Sequence, residues 1–211
     1  MRKMNSHSEI EIIDITENRK CERHLYKCLA PMPFRKYRKR SEYLEAAIPK
    51  RFHKKVLILN GQVVGQIEYA PPEACAYPIT GNDILVMNCI WVLRKAKGRN
   101  LGKQLLTDMM KSEKKAVGFA TIALENHWSP WFKKWQMEKF GFKSLDSVEV
   151  MHKTKHKGER FKIHLMWLPT TKNANPPTWD KSKLLEGEHF CIAHPLYHPE
   201  KPKLKEILEK C

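Results

Sequence analysis

Residues 90–106 combine cations and glycines in a pattern that predicts an anion-binding turn. The segment contains five cations and two glycines: Arg94, Lys95, Lys97, Arg99, Lys103, Gly98 and Gly102. The residues before the turn are apolar and β-branched or aromatic, as in a strand, and those after it are amphipathic, as in a helix. The first amides of a helix have no acceptor within the helix and lie at the positive end of its dipole. The turn therefore favours an anion, typically a phosphate.

The composition is that of a folded protein with a strongly basic surface. The chain has 211 residues, of which 42% are hydrophobic, and this allows one substantial core. The net charge of +16 indicates either a partner that carries phosphate or carboxylate groups, or a surface that is basic for solubility alone. No stretch of about 18 apolar residues is present, and the N-terminus lacks the apolar core of a signal peptide. We therefore expect a soluble, cytoplasmic protein without a membrane partner.

The cysteines predict free thiols rather than a disulfide framework or a metal site. Six cysteines are scattered along the chain without a C-x-x-C pair: Cys21, Cys28, Cys75, Cys89, Cys191 and Cys211. Four residues near the C-terminus could ligate zinc, namely His189, Cys191, His194 and His198. Their spacing fits no closed structural zinc site, so we predict no metal.

A strand, a helix and a second strand position the basic turn. Residues 84–92 form a near-continuous apolar run, as in a central strand, and residues 118–126 form another. A helix from residue 101 to about 114 lies between them, and this order predicts a right-handed parallel crossover. Upstream, Asn60 and Gly61 supply the two positive φ angles of a type I′ turn in a hairpin over residues 55–70.

The remaining pattern predicts further strands and short helices. We expect strands over residues 9–15, 147–153 and 161–168, and helices from Thr16 to Cys28, from Ser41 to Ile48 and from Ser129 to Gly141. Ser41 and Ser129 are candidate N-caps, and Pro130 suits a first helical position. After the final strand of the sheet the composition changes to a loop rich in Pro and Asn. We predict that a small extension of loop, strand and helix begins there.

This order of elements resembles that of the GNAT superfamily of N-acetyltransferases, over roughly residues 9–170. The residues that carry the resemblance are Val92, the segment Lys97-Gly98-Arg99-Asn100-Leu101-Gly102-Lys103, and "MEKFGF" at 137–142. The resemblance implies an α/β (α+β) fold: a mixed, mostly antiparallel central sheet flanked by helices, with a splayed pair of parallel strands. Residues 1–169 would form the acetyltransferase domain, and residues 170–211 a small C-terminal extension similar to the one called YoaP-like.

Three positions depart from the family pattern. Lys97 stands where Arg or Gln is usual, and Asn100 stands at the first motif glycine. Asn is the residue other than glycine that best tolerates the left-handed region, so this departure is mild. Met137 occupies the position of the Tyr that usually protonates the departing thiolate, and Met has no proton to donate. His127, Cys89 or Tyr69 could substitute, the thiolate could leave unassisted, or activity could be lost.

The resemblance implies acetyl-CoA as the cofactor and assigns residues to it. The pyrophosphate would lie against Lys97, Gly98, Arg99, Asn100, Leu101, Gly102 and Lys103, whose amides and cations offer donors. Backbone groups of Ile90, Trp91 and Val92 would pair with the pantetheine amides, with Asn126 and Trp131 nearby. The plainer alternatives are a solvated basic helix cap and ordinary core packing.

The implied reaction is direct attack of a primary amine, which needs positioning and a proton acceptor. Glu68, Glu73, Glu125 and His127 are candidates because they lie at strand ends that face the predicted cleft, and Glu125 and His127 rank first. Cys89 is a candidate proton donor. Each of these residues alone is more often structural than catalytic.

The basic region 35–55 would line the acceptor site. This region contains five cations that would repel a polycationic acceptor: Arg35, Lys36, Arg38, Lys39 and Arg40. We therefore expect an amine that is acidic or bears phosphate, which leaves a small carboxylate-bearing amine, an acidic peptide terminus or an aminoacylated RNA. A rival reading is a nucleic-acid-binding protein that uses this stretch with Tyr37 and Tyr43. Met137 motivates a third reading, a non-catalytic acetyl-CoA-binding protein.

Overall fold

Within the described residues, eight strands form the central sheet and two short strands form a separate ribbon. The structure is a computed structural model that describes residues 9–18, 23–29, 38–153, 157–186 and 208–211. The strands are β1 Ile10–Asp14, β2 His53–Leu59, β3 Gln62–Ala70, β4 Ile79–Thr80, β5 Ile84–Val92, β6 Gly118–Glu125, β7 Lys143–His152, β8 Arg160–Pro169, β9 Thr178–Trp179 and β10 Leu208–Lys210. The α-helices are α1 Arg38–Ala47, α2 Leu101–Ser112 and α3 Lys134–Lys139.

The sheet is mixed and mostly antiparallel, in the order β1-β2-β3-β5-β6-β8-β7-β10. Only β5 and β6 run parallel among the strand pairs of the described chain, and α2 connects them as the predicted crossover helix. The β2–β3 hairpin turns at Asn60 and Gly61, whose φ angles are 49° and 75°. Positive φ at both central residues is what a type I′ turn requires, so the hairpin prediction is confirmed.

Helices cover both faces of the sheet. On one face, α1 packs Leu44 and Ala47 into a core with Val56 and Ala70; we call this the α1 face. On the other, which we call the α2 face, Leu105 of α2 lies directly over Gly65, and a Cβ added to that glycine would meet the leucine at 3.1 Å. Since side chains alternate between faces along a strand, adjacent residues of a strand pack against different helices.

Strands β5 and β6 separate soon after they meet. Their ladder contains only Ile84–Val86 of β5 and Gly118–Ala120 of β6. Beyond it, residues 87–92 and 121–125 diverge and leave a gap in the sheet. A β-bulge at Asn88, opposite the Glu68–Tyr69 step of β3, lies at the point of divergence. Bulges bend a strand and increase its twist, which explains why β5 leaves its neighbour here.

Three helix predictions need correction. The helix predicted from Thr16 is replaced in residues 16–18 by a turn, because the Thr16 N–H and hydroxyl donate to the Asp14 carboxylate, and residues 23–28 hold only one 3-10 turn. Helix α1 begins at Arg38, so Ser41 lies inside it rather than at its N-cap. Helix α3 begins at Lys134 rather than near Ser129, because Phe132 has a φ of 39° that no helix accepts.

The described part of the predicted C-terminal extension packs on the sheet. Strand β9 pairs with β4, Leu184 is buried in the main core, and β10 adds a strand beside β7. The Trp179 indole N–H donates to the Asp146 carboxylate at 2.9 Å. No helix in the described ranges has the length and apolar character needed to cross a bilayer.

Candidate functional site

The basic turn predicted from the sequence forms an exposed loop at the N-terminus of α2. A 3-10 turn over Arg94–Ala96 follows β5, and Gly98 and Asn100 then adopt left-handed φ angles of 83° and 56°. The Asn100 side chain caps none of the helix amides. The amides of the first turn therefore remain available to an external acceptor, and the helix has twelve residues, long enough for an appreciable dipole.

Cations flank these amides on the surface. Lys97, Arg99 and Lys103 are all exposed, as are Gly98 and Asn100. The loop lies on the α2 face, because Gly102 approaches Phe140, which directly follows α3 on that same face. The sequence prediction that this segment presents amides and cations together agrees with the geometry.

Backbone groups of Ile90 and Val92 face the gap. The Leu93 N–H donates to the Val64 carbonyl at 2.8 Å. Trp91, two residues before Leu93, pairs with Gln66 of β3. In an antiparallel ladder, hydrogen-bonded and non-bonded residues alternate, so the peptide groups of Ile90 and Val92 point away from β3. Trp91 was predicted to pair with the same ligand, but its own peptide groups turn toward β3.

Two hydroxyls close the inner end of the gap. The Thr121 hydroxyl donates to the Met87 carbonyl at 2.7 Å, and the Tyr77 hydroxyl donates to the Asn88 carbonyl at 2.7 Å. These bonds give the Met87 and Asn88 carbonyls hydroxyl donors near the point where the strands part. Sequence reasoning did not single out Thr121 or Tyr77, since neither belongs to a recognisable local pattern.

The far edge of the gap is partly occupied by the chain after β6. The Leu124 N–H donates to the Phe132 carbonyl at 2.7 Å, so residues 131–133 run alongside β6. Trp131 is buried and packs edge-on against Tyr77, with ring centroids 6.5 Å apart. Trp131 therefore lies near the inner end of the gap. Asn126 is exposed, with a φ of 60°.

A buried polar cluster lies on the α1 face beside the gap; we call it the Glu68 latch. It consists of Glu68, Arg40, Lys54 and Gln66, and each of the last three contacts the Glu68 carboxylate. The Glu68 Oε1 atom lies 2.7 Å from Arg40 Nη2, 3.0 Å from Lys54 Nζ and 3.3 Å from Gln66 Nε2. The Gln66 amide also reaches the Cys89 Sγ atom at 3.7 Å.

The latch determines the protonation of its members. Burial would raise the pKa of Glu68, but Arg40 and Lys54 outweigh burial and lower that pKa to about 2. Burial also raises the pKa of the Cys89 thiol, and the Glu68 charge adds to the increase. At neutral pH, Glu68 is therefore a fixed anion and Cys89 a protonated thiol. Glu68 was a candidate base, and a carboxylate of such low pKa is a poor one.

Glu125 lies on the α2 face at the end of β6. It accepts from Lys134 Nζ at 3.0 Å, and His164 Nε2 lies 3.2 Å from its other oxygen. His164 Nδ1 is in turn 2.8 Å from the Ser144 hydroxyl. The hydrogen bond from Lys134 lowers the pKa of Glu125, and that from His164 lowers it further. Glu125 is thus an anion at the end of a hydrogen-bonded chain.

His127, the second leading candidate base, is buried between aromatic rings. Its ring centroid lies 4.5 Å from that of Phe161 and 5.3 Å from that of Trp128. Its Nδ1 atom accepts the Ser129 N–H at 3.1 Å, which assigns the ring proton of the neutral form to Nε2. Glu125 and His127 are two residues apart but lie in different surroundings.

The candidate proton donors divide between the gap and the rest of the molecule. Cys89 lies beside the gap, whereas the Tyr69 hydroxyl lies 3.3 Å from Glu113 and its ring stacks on His53. Burial, with the Glu113 charge, raises the pKa of Tyr69, so Tyr69 is a poor donor at neutral pH. Met137 is buried in the core.

The comparisons with known proteins identify the fold. No family model matches the chain, and no curated protein sequence matches it. Among solved structures, the ribosomal-protein-S18-alanine N-acetyltransferase of Escherichia coli has a TM-score of 0.51 at 14% identity, over 80% of this chain and 100% of that one. A Desulfovibrio desulfuricans structure assigned to the GNAT acetyltransferases has a TM-score of 0.52 at 11% identity, over 77% and 100%.

A Bacillus subtilis acetyltransferase in complex with CoA is also similar, with a TM-score of 0.50 at 16% identity, over 77% of this chain and 100% of that one. The chain thus has the fold of the GNAT acetyltransferases, as the sequence predicted. At these identities the likeness establishes the fold, and the chemistry must be argued from the residues of this chain.

Proposed function

We propose that this protein is an N-acetyltransferase that transfers the acetyl group of acetyl-CoA to a primary amine by direct attack. The observation that carries the proposal is the gap between β5 and β6, which opens next to the uncapped N-terminus of α2. An extended thiol arm needs an unpaired strand edge, and a pyrophosphate needs amides and cations. The two requirements are met at adjacent places on one face.

The residues present fit acetyl-CoA. The amides after Asn100, with the exposed cations Lys97, Arg99 and Lys103, would hold the pyrophosphate and the 3′-phosphate. The gap-facing peptide groups of Ile90 and Val92 would pair with the amides of the pantetheine arm, as an added strand would. The cofactor supplies an acetyl group as a reactive thioester.

The gap has two mouths, and this separates the two substrates. Residues 97–103, which we call the phosphate loop, lie on the α2 face. An arm that enters from that face would bring the thioester toward the α1 face near Cys89. The amine must approach from the mouth that the cofactor does not fill. Cys89, which pairs with Glu68, lies beside this second mouth. We therefore place the acceptor on the α1 face and the cofactor on the α2 face.

The chemical step requires little of the protein beyond positioning. The neutral amine donates its lone pair to the thioester carbon, and the Ile90 N–H, which faces the gap, would stabilise the oxyanion that forms. The C–S bond then breaks, the amine loses one proton, and the thiolate gains one. Cys89 remains a candidate donor to the thiolate. Glu125 lies on the α2 face and its pKa is lowered, so it is a poor acceptor for the proton of an amine on the α1 face. His127 remains a candidate, and solvent can otherwise take the proton.

The acceptor is proposed to carry an acidic or phosphate group. The latch supports this preference, because its two cations face one anion in a region closed to solvent. Lys54 Nζ has three acceptors, the oxygens of Leu25, Lys27 and Glu68. Burial lowers the pKa of Lys54, and the Glu68 carboxylate opposes this shift. The three acceptors match the three N–H groups of an ammonium. With Arg40 and Lys54 protonated and Glu68 ionised, the latch would carry one net positive charge.

The structure favours the transferase over a nucleic-acid-binding protein. Side chains of the basic 35–55 region are described from residue 40 onward. There Arg40, Lys54 and Lys55 are buried in ion pairs, whereas Lys50 and Arg51 are exposed. Tyr43, a candidate base-stacking residue, donates its hydroxyl to the Ala74 carbonyl at 2.7 Å. Cations and rings engaged in this way are poorly placed to contact RNA.

Calorimetric titration tests the proposal. Acetyl-CoA should bind, its 3′-dephospho form should bind more weakly, and Lys103→Ala should weaken acetyl-CoA about tenfold. Lys95→Ala is the matched control, because Lys95 is an exposed cation of the same loop that contacts Gln62 instead. Loss of thioester absorbance on addition of an amine would then show transfer. Cofactor binding without transfer would favour the non-catalytic reading, and RNA binding without cofactor binding would overturn the proposal.

A further inference from the structure

We propose that residues 25–29 form a wall over the α1-face mouth of the gap, and that the Glu68 latch holds this wall in place so that water is excluded and amines are selected. The inference rests on the proposed function, because the mouth matters only if a thioester reaches it. It assigns positioning roles to Gln66, Lys54 and Arg40, residues that belong to no recognisable motif.

The latch bonds the backbone of the wall directly. Lys54 Nζ donates to the Lys27 carbonyl at 2.7 Å, and Arg40 Nη2 donates to the Leu25 carbonyl at 3.1 Å. The Leu29 N–H donates to Gln66 Oε1 at 3.3 Å. Each of the three side chains that contact Glu68 therefore also contacts the wall. A short segment without helix or strand is thereby fixed by bonds to charged or polar groups.

The wall is connected to β5, the strand that borders the gap. Gln66 contacts the Leu29 N–H with its oxygen and Cys89 Sγ with its nitrogen, so one side-chain amide spans from the wall to β5. Cys89 is only 5% exposed although its strand has lost its neighbour β6. Leu25 is buried in the α1-face core with Leu44 and Phe52. The wall is thus anchored by apolar packing at one end and by Gln66 at the other.

The arrangement has a chemical consequence. A thioester exposed to water can be hydrolysed, and transferases limit this loss by excluding water from the acyl group. The wall covers the side from which water would otherwise approach. An acceptor amine must enter along the edge of the wall. The wall therefore restricts the shape of the amine, and the positively charged latch restricts its charge. Releasing the wall should therefore raise hydrolysis and broaden the range of acceptors.

The test compares variants that release the wall with one that does not. Gln66→Met keeps the length of the side chain but removes the acceptor for the Leu29 N–H, and Lys54→Met removes the bonds to Leu25 and Lys27. The matched control is Lys55→Met, since Lys55 is similarly buried but faces the opposite side and pairs with Asp108 at 2.7 Å. The full chain is used, with acetyl-CoA as the probe and no amine added.

Two measurements decide the outcome. Hydrogen exchange in residues 25–29 should be about tenfold faster in Gln66→Met and Lys54→Met than in the wild type and the control. Hydrolysis of acetyl-CoA, followed by loss of thioester absorbance, should rise about fivefold, with acetyl-CoA affinity within about twofold. The proposed role of the wall would be refuted by unchanged hydrogen exchange of residues 25–29 in a folded variant, or by faster exchange without faster hydrolysis of acetyl-CoA. Failure of the wild type to bind acetyl-CoA would instead overturn the proposed function.

Discussion

The two mouths of the gap are built in different ways. On the α2 face, the proposed phosphate loop consists of contiguous residues, 97–103, and its candidate donors are backbone amides at the start of a helix. On the α1 face, the latch collects side chains from α1, β2 and β3 around Glu68. A site made of backbone groups can be formed by a few adjacent residues, whereas a site made of buried charges needs partners that are far apart in sequence.

The largest expected effect comes from a substitution in the buried Glu68 latch. Glu68→Gln would leave Arg40 and Lys54 buried without a counter-charge, and we expect it to lower the free energy of unfolding by about 3–5 kcal/mol. Equilibrium unfolding in urea measures the change. Glu149→Gln is the control, since Glu149 is 41% exposed and 3.9 Å from Arg160, and should cost under about 0.5 kcal/mol. A loss below about 1 kcal/mol for Glu68→Gln would contradict the electrostatic account of the latch.

The pH dependence of stability tests the same group without a mutation. The folded-state pKa of Glu68 is about 2, below the ordinary value of 4.5. A carboxyl with a lowered pKa adds stability above its unfolded pKa, and this contribution disappears as pH falls through the folded pKa. The wild type should lose stability between about pH 5 and pH 2 more steeply than Glu68→Gln. Parallel curves for the two proteins would show that Glu68 does not titrate in this range.

Substitutions at two glycines of the phosphate loop separate the effect on stability from the effect on cofactor binding. Gly98 has a φ of 83°, so Gly98→Ala should cost about 1–2 kcal/mol from backbone strain alone, since its Cβ would meet nothing within 4 Å. Gly102 is helical and its added Cβ would make an ordinary 3.7 Å contact with Phe140, so Gly102→Ala should stabilise the fold by up to about 1 kcal/mol. Both should weaken acetyl-CoA binding, because a Cβ hinders close approach of the phosphates. Thermal unfolding and calorimetry together check the opposite signs, and tight binding by Gly102→Ala would argue against the loop as a phosphate site.

The last prediction concerns the closed end of the gap. Thr121→Val removes the hydroxyl that donates to the Met87 carbonyl and should cost about 1–2 kcal/mol, because a buried carbonyl loses its donor. Denaturant unfolding gives the size of the loss. Thr107→Val serves as the control, since Thr107 is exposed on α2. Equal effects of the two changes would mean that the hydroxyl does not hold the divergence point.

Local patterns predicted much of the fold. Strand β5 was predicted with its observed bounds, and the Asn60–Gly61 turn and the start of α2 at Leu101 were also correct, because periodicity and turn chemistry act over a few residues. The start of α3 was missed, since Ser129 and Pro130 are good capping residues but residues 131–133 are held alongside β6 instead. There a tertiary contact outweighed local preference.

The sequence by itself determined the basic glycine turn before α2, the order of the elements and the departure of Met137 from the family pattern, because these depend on residues that are neighbours along the chain. Only the tertiary structure decided which candidate acids and bases lie beside the gap. Glu68 became a fixed anion and Cys89 a protonated thiol because Arg40 and Lys54 were brought to them from other elements. Charge and burial depend on everything that packs around a group, and a linear pattern does not contain that information.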